Sequence, residues 1–244
     1  MRKNKVTLLI PTMNEIAGLK SIMPRIRPGW YDQLIILDGG STDGTIEYAR
    51  QRGYEIHVQK RKGLRMAYIE NHPNVRGDVV VTFSPDGNSV PERIPDLVAK
   101  MEEGFDMVIV SRYIGGARSF DDTPLTRLGN LFFTTLINSL FHHRYTDSLV
   151  IYRAYRKDVI DRLGILTERS EWYEDFIGRF VSWEPQLSVR CAKERLKTAE
   201  IPGDEPKRVS DEASAQVFLP SSRIRHFRVG FACLLMILDE ALRP

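Results

Sequence analysis

The sequence predicts an α/β domain: a mainly parallel sheet with helices on both faces, followed by a C-terminal helical and loop extension. Three observations predict it. Short β-rich runs alternate with segments of helical periodicity through the first half of the chain. The runs are apolar throughout instead of alternating, as strands buried on both faces are. Finally, 244 residues with 42% apolar content are enough to bury one full core.

In chain order, Val6–Ile10 reads as the first strand and Glu15–Ile26 as the helix after it. Leu34–Asp38 is the second strand; two glycines then permit a sharp reversal, and Ser41 or Thr42 can cap a helix over Asp43–Arg52 with Asp43 in its first turn. Tyr54–Val58 and Lys62–Asn71 repeat the pair, as do Val79–Phe83 with Pro91–Glu103, and Met107–Ser111 is a fifth strand. Beyond Arg112 the rhythm changes. A Gly115-Gly116 loop leads to a helix over Leu125–Phe141, a strand-like Ser148–Ala154, a helix near Trp172–Ser182, and strands near Leu187–Cys191 and Thr198–Ile201. The polar stretch Pro202–Ser222 has the length of a functional lid. These patterns divide the chain into residues 1–201, the catalytic-type domain, and 202–244, a mobile polar loop with a C-terminal amphipathic helix.

Composition excludes several classes. The balance of 35 basic and 32 acidic residues, formally +3, is too even for a nucleic-acid footprint, so any anion site must be local. Cys191 and Cys233 are far apart and form neither a metal quartet nor a disulfide framework, which fits a reducing, cytoplasmic setting. The apolar run before Pro11 is short of the roughly 7–15 residues of a leader core and reads as a strand. Phe227–Leu238 contains Arg228 and falls short of the roughly 20 residues that span a bilayer. The tail RIRHFRVGFACLLMILDEALRP combines cations with an apolar stripe. Such a helix can lie on an anionic membrane, peripherally at the inner face, or pack on the core or on a second subunit of a homodimer. No G-x-G-x-x-G follows any strand, against a dinucleotide oxidoreductase.

In open parallel sheets ligands sit beyond the carboxyl ends of the strands. Three of those ends carry acid or amide groups: Pro11-Thr12-Met13-Asn14-Glu15, Asp38-Gly39-Gly40-Ser41-Thr42-Asp43, and Asp86-Gly87-Asn88. Every residue after Asp38 can be explained as turn and cap, whereas Asp38 itself points toward the crevice. Asp-Gly is a common turn, but here a helix follows at Pro91, so the turn joins strand to helix. Asp86 and Asn88 can both offer oxygens to a hard cation such as Mg²⁺ or Mn²⁺. Lys60, Arg61, Lys62 and Arg65 surround Gly63 at a helix start, which reads either as a solvated basic face or as a diphosphate contact.

Together LLIPTMNE, LIILDGGSTDGT, KGLRMA, VVVTFSPDGNSVPE and VSRY followed by Arg127 resemble the family 2 glycosyltransferases of the GT-A fold, in particular the dolichyl- or polyprenyl-phosphate sugar transferases. The resemblance covers residues 5 to 155 and, more loosely, TAEIPGDEPKRVS. It implies a nucleotide-diphosphate-sugar donor over the first four strand ends. Pro11, Thr12 and Glu15 would flank the nucleoside, Asp38 would contact base or ribose, and Asp86 with Asn88 would hold the metal on the diphosphate. Lys62, Arg65, Arg112 and Arg127 would face diphosphate or acceptor, and Arg208 would close over the donor. The family's Asp-x-Asp reads Ser84-Pro85-Asp86 here, and the serine usual four residues after the arginine is Leu131.

A sugar hydroxyl acceptor needs a general base, for which Asp175 or Glu174 stand by analogy, although an exposed acidic face explains them equally. A lipid phosphate arrives anionic and needs none. His142 and His143 project to different sides of a helix and do not share a metal. A nucleotidyltransferase or a non-catalytic nucleotide-sugar binder of the same fold are the competing classes.

Overall fold

The computed structural model describes residues 2–167, 171–177, 183–209 and 220–243. Within these, β1 (Val6–Thr12), β2 (Gln33–Asp38), β3 (Glu55–Val58), β4 (Val79–Thr82), β5 (Met107–Ser111), β6 (Arg153–Arg156) and β7 (Thr198–Pro202) form one sheet. Its order is β3-β2-β1-β4-β6-β5-β7. All neighbours pair in parallel except β6, which runs antiparallel to both β4 and β5. The sheet is therefore mainly parallel, as its continuous apolar strands imply, with one reversed strand in its interior.

Period-two alternation sends successive side chains of each strand into two cores. On one face Leu8, Ile10 and Ile36 meet Leu19 and Ile22 of α1 (Ile16–Ile22), Tyr48 of α2 (Thr45–Gln51) and Leu97 of α4 (Ile94–Glu102). On the other, Leu9, Ile35 and Leu37 meet Met66 of α3 (Leu64–Asn71), Ile137 of α5 (Pro124–Phe141), Val159 of α6 (Lys157–Arg162) and Tyr173 of α7 (Trp172–Ile177). Trp183 and Leu187 of α8 (Trp183–Lys193) and Met236 of α9 (Pro220–Leu242) complete that second core. The apolar stripe of α9, Ala232, Cys233, Met236 and Ile237, is thus packed on the core. Among the described residues no helix is long and apolar enough to cross a membrane. Burial pushes both cysteine thiols up to about 12, so neither is reactive at neutral pH.

Two expected strands differ. Leu187–Cys191 lies inside α8, a helix buried on nearly every side, so it lacks the amphipathic period that marks a helix. Its alternating Ser188 faces inward, where its hydroxyl donates to the Ser148 carbonyl at 2.6 Å and accepts from Arg153 Nη1 at 2.8 Å. Ser148–Ala154 becomes strand only from Arg153, because the buried Arg153 side chain takes the Ser148 and Val150 carbonyls out of the ladder. The helix near Trp172 is described to Ile177, and 178–182 lie outside the described residues.

Candidate active site

The carboxyl ends of β2, β1 and β4 lie side by side, that of β5 follows across β6, and together they carry two linked clusters. The first is built on Asp38, fully buried at the end of β2. Its Oδ1 accepts from the Gly40 and Ser41 amides at 2.8 and 2.7 Å, and its Oδ2 from the Ser41 and Thr12 hydroxyls at 2.7 and 3.0 Å. Both oxygens are engaged in shaping the loop, so Asp38 positions the residues that line the crevice; a direct contact to base or ribose would compete with these four bonds. Asn14, in the left-handed region at φ 57°, accepts from the Thr42 amide at 2.8 Å and donates its own N–H to Ser41 Oγ. Asp43 lies ahead of α2 instead of in its first turn and bridges two helix starts, accepting from the Ile16 amide of α1 at 3.1 Å and the Thr45 amide of α2 at 3.0 Å. Burial works against its charge, but the Thr45 hydroxyl and the amides of Ile16 and Thr45 outweigh it and hold its carboxyl low. Pro11 and Thr12 end β1 beside this loop, and Glu15 is half-buried just ahead of α1.

Gly18 joins the two clusters. A Cβ there would lie 2.1 Å from the Pro85 carbonyl oxygen, so only glycine lets α1 seat against the loop after β4. That loop carries Asp86, 7% exposed, and Asn88, also buried. Desolvation pushes the Asp86 carboxyl up, opposed by Arg208, the Asn88 amide and the Ser84 hydroxyl. Ser84 stands where the first family aspartate would, two residues before the remaining one. Asn88 Nδ2 donates to Glu205 Oε1 at 3.3 Å. Among the described residues no three His, Cys, Asp or Glu side chains converge as a metal cage. A divalent ion would rest on Asp86 and the Asn88 amide oxygen and take the rest of its shell from ligand and water, as Mg²⁺ commonly does.

The segment after β7 closes the corner. Gly203 N–H donates to Ser111 O, Glu205 pairs in backbone register with Ser119, and Val209 N–H donates to Asp86 O at 2.8 Å. Arg208 Nε lies 3.3 Å from Asp86 Oδ2 and 3.0 Å from Asp121 Oδ2. Arg112 at the end of β5 is clamped: Nε and Nη2 donate to Asp147 at 2.6 and 2.9 Å, and Nη1 to Glu205 at 3.0 Å. Burial alone would weaken its charge, but Asp147 and Glu205 outweigh this and raise its pKa, so it is a permanent cation. Desolvation pushes Glu205 up in turn, opposed first by Arg112. The Ser119 hydroxyl also donates to Glu205, and the Tyr113 hydroxyl to Asp122.

The remaining expected residues fall elsewhere. Arg65 is 2% exposed and ion-paired with the equally buried Glu174 at 2.9 Å. Its guanidinium is thus withdrawn from a solvent-facing diphosphate contact, and Glu174 is neither an exposed acid nor an available base. Lys62 is exposed just ahead of α3; Asp175 is exposed on α7; Arg127 is exposed in the first turn of α5. Leu131 is exposed one turn further along α5. Glu205, Asp147, Asp121 and Asp122 were missed by sequence reasoning. Glu205 sits in the GDEPKRVS segment, where a charge cluster was visible; Asp147 had no local signal, since only the fold brings it to Arg112.

The mainly parallel sheet with one reversed strand thus carries a corner of carboxylates and arginines at its carboxyl edge. The model of glycosyl transferase family 2 matches residues 7–164, and the chain belongs to that family. It is 28% identical over 201 residues to glycosyltransferase AglJ of Haloferax volcanii, covering 81% of this chain and 61% of that protein. It is 28% identical over 196 residues to the undecaprenyl-phosphate 4-deoxy-4-formamido-L-arabinose transferase of Shewanella sediminis, covering 75% and 58%. The chain thus spans about three fifths of the length of these relatives. Among solved structures, glucosyl-3-phosphoglycerate synthase of Mycobacterium tuberculosis, crystallised with Mn²⁺, UDP and glucosyl-3-phosphoglycerate, superposes with a TM-score of 0.71. That match has 19% identity over 99% of this chain and 81% of the other; the same enzyme with Mg²⁺ and UDP also gives 0.71.

Proposed function

We infer that the protein transfers a sugar, with inversion, from a nucleotide-diphosphate-sugar to a polyprenyl phosphate. The observation that carries this reading is the single buried carboxylate, Asp86, at the end of β4 with Arg208 against it and Arg112 fixed beside it through Glu205 and Asn88. A desolvated carboxylate flanked by permanent cations suits a site where a diphosphate arrives and leaves. A divalent ion on Asp86 and Asn88 would supply Lewis-acid neutralisation of the departing nucleotide diphosphate. The chain's own groups supply the rest. Arg208 can leave Asp86 for the diphosphate oxygens, Arg112 holds Asp147 and Glu205 in place as a cation that does not titrate, and the Asp38 loop shapes the nucleoside end. Arg127, at the start of α5, faces the acceptor side.

A lipid-phosphate acceptor is favoured over a sugar hydroxyl because Glu174 is committed to Arg65, and an anionic acceptor needs no base. The named undecaprenyl-phosphate relatives support the same choice. With a hydroxyl acceptor, Asp175 would be the base to test. A thermal-shift panel of UDP-, GDP- and dTDP-sugars with and without Mn²⁺ tests the donor half, since a ligand of the folded state raises its melting temperature. One nucleotide class should give a metal-dependent shift; no shift with any of them would sink the reading, and a shift without turnover on any acceptor would favour a non-catalytic binder.

A further inference from the structure

A carboxylate such as Asp86 offers a cation an oxygen whichever way it turns. A carboxamide does not: one end of the Asn88 amide is an oxygen, the other a pair of N–H donors, and the two ends are nearly the same shape. A cation is attracted by the first and repelled by the second. Asn88 is 8% exposed, and its backbone N–H lies 3.3 Å from Asp86 Oδ1, so protein groups rather than water decide which end faces the corner.

Two side chains meet that amide. Its Nδ2 donates to Glu205 Oε1 at 3.3 Å, and the Ser89 hydroxyl donates to its Oδ1 at 3.4 Å. A hydroxyl can donate or accept, so Ser89 suits either orientation. An ionised carboxylate only accepts, so Glu205 suits one. Turned over, the amide would set its oxygen against the Glu205 oxygen. Glu205 is itself firmly held: its N–H donates to the Arg118 carbonyl at 2.9 Å and its carbonyl accepts from the Phe120 amide at 2.8 Å. Its carboxylate accepts from Arg112 Nη1 at 3.0 Å and from the Ser119 hydroxyl. Arg112 is fixed in turn by Asp147, whose amide donates to Glu200 of β7 at 3.0 Å.

We propose that Glu205 is a positioning residue for the divalent cation: by accepting from Asn88 Nδ2 it fixes the amide so that Oδ1, and not the N–H pair, is left for the ion that Asp86 binds. Arg112 and Asp147 hold Glu205 in place for that task. The inference rests on the metal proposed at Asp86 and Asn88. It has particular weight in this chain, because Ser84 replaces the first aspartate and a turned Asn88 would leave Asp86 as the ion's sole protein oxygen of the pair. Groups that orient metal ligands in this way commonly govern affinity as strongly as the ligands themselves.

Titration of the full chain with Mn²⁺ alone, followed by the electron paramagnetic resonance of the free ion, tests it. Glu205→Asp keeps the charge but is one methylene too short for Asn88, and Glu205→Gln keeps the length but can turn an N–H toward it. Each should weaken Mn²⁺ binding roughly tenfold. In an Asn88→Ala background, where there is no amide to orient, Glu205→Asp should change the affinity by about twofold at most. In NMR spectra recorded without metal, the Asn88 Nδ2 hydrogens should exchange slowly in the wild type and quickly in Glu205→Asp. Wild-type Mn²⁺ affinity in Glu205→Asp overturns the inference, and so does an equal tenfold loss in the Asn88→Ala background, which would mean that Glu205 acts without Asn88. If Glu205→Gln does not fold, Glu205→Asp decides, and fast exchange of the Asn88 hydrogens in the wild type overturns the inference without any variant. A wild type that shows the slow exchange but binds no Mn²⁺ instead sinks the metal reading itself, and this inference with it.

Discussion

Arg208 Nε lies 3.3 Å from Asp86 Oδ2, so a guanidinium on the closing segment meets the one buried carboxylate at the end of β4. In the proposed reaction the same arginine transfers its contact to the donor diphosphate. Its side chain is 56% exposed, so the pair adds little to stability, within about 1 kcal/mol. Arg208→Ala should therefore melt within a degree or two of the wild type but bind the nucleotide sugar roughly tenfold more weakly, about 1.4 kcal/mol. Calorimetric titration of donor beside a thermal melt checks both halves.

Asp86→Asn separates binding from folding. Desolvation raises the folded pKa of Asp86, so this group favours folding below its unfolded pKa, and that contribution is lost as pH rises through the folded value. The amide has no charge to bury. The variant should thus gain stability relative to the wild type at pH 7, and the gain should shrink toward pH 4, where the carboxyl protonates. Its metal-dependent turnover should be lost. Denaturant melts at the two pH values, with activity at pH 7, read this out.

Arg65 and Glu174 make a structural pair across α3 and α7. Either Arg65→Met or Glu174→Gln leaves a buried group without its partner and should cost about 3–5 kcal/mol. Arg65→Met/Glu174→Leu should recover most of that loss, as measured in a double-mutant cycle by chemical denaturation. If the single variants instead keep full stability and lose only turnover, Arg65 acts at the donor.

Gly87 lies at φ 95°, and a Cβ there would sit 2.6 Å from Val209 Cγ2 and 2.9 Å from Val209 N. Gly87→Ala should strain the backbone by about 1–2 kcal/mol and push Val209 N–H off the Asp86 carbonyl. The Val209 amide should exchange faster with deuterium, and donor KM should rise.

The fold was legible wherever one local rule decided it. β1, β2, β4 and β5 are apolar on both faces because helices cover both, and each lies within two residues of its expected bounds. α8 was illegible because complete burial erases the periodicity that marks a helix. At the site, Asp86 and Asn88 could be read from a strand end and Arg112 from the family resemblance, but their partners could not. Asp147 and Glu205 reach Arg112 from 35 and 93 residues away, a closeness only tertiary structure creates. Arg65 misled for the same reason: four cations at a helix start look alike in sequence, and the buried Glu174 lies 109 residues further on.

The most direct test of the account is transfer of radiolabelled sugar from UDP-, GDP- and dTDP-sugars, with Mn²⁺ or Mg²⁺, to a polyprenyl phosphate, followed by organic extraction. The wild type should move label from one nucleotide class into the lipid phase, and Asp86→Ala should abolish that transfer while remaining folded. Undiminished transfer by Asp86→Ala, or no label in lipid from any donor with the folded wild type, would contradict it.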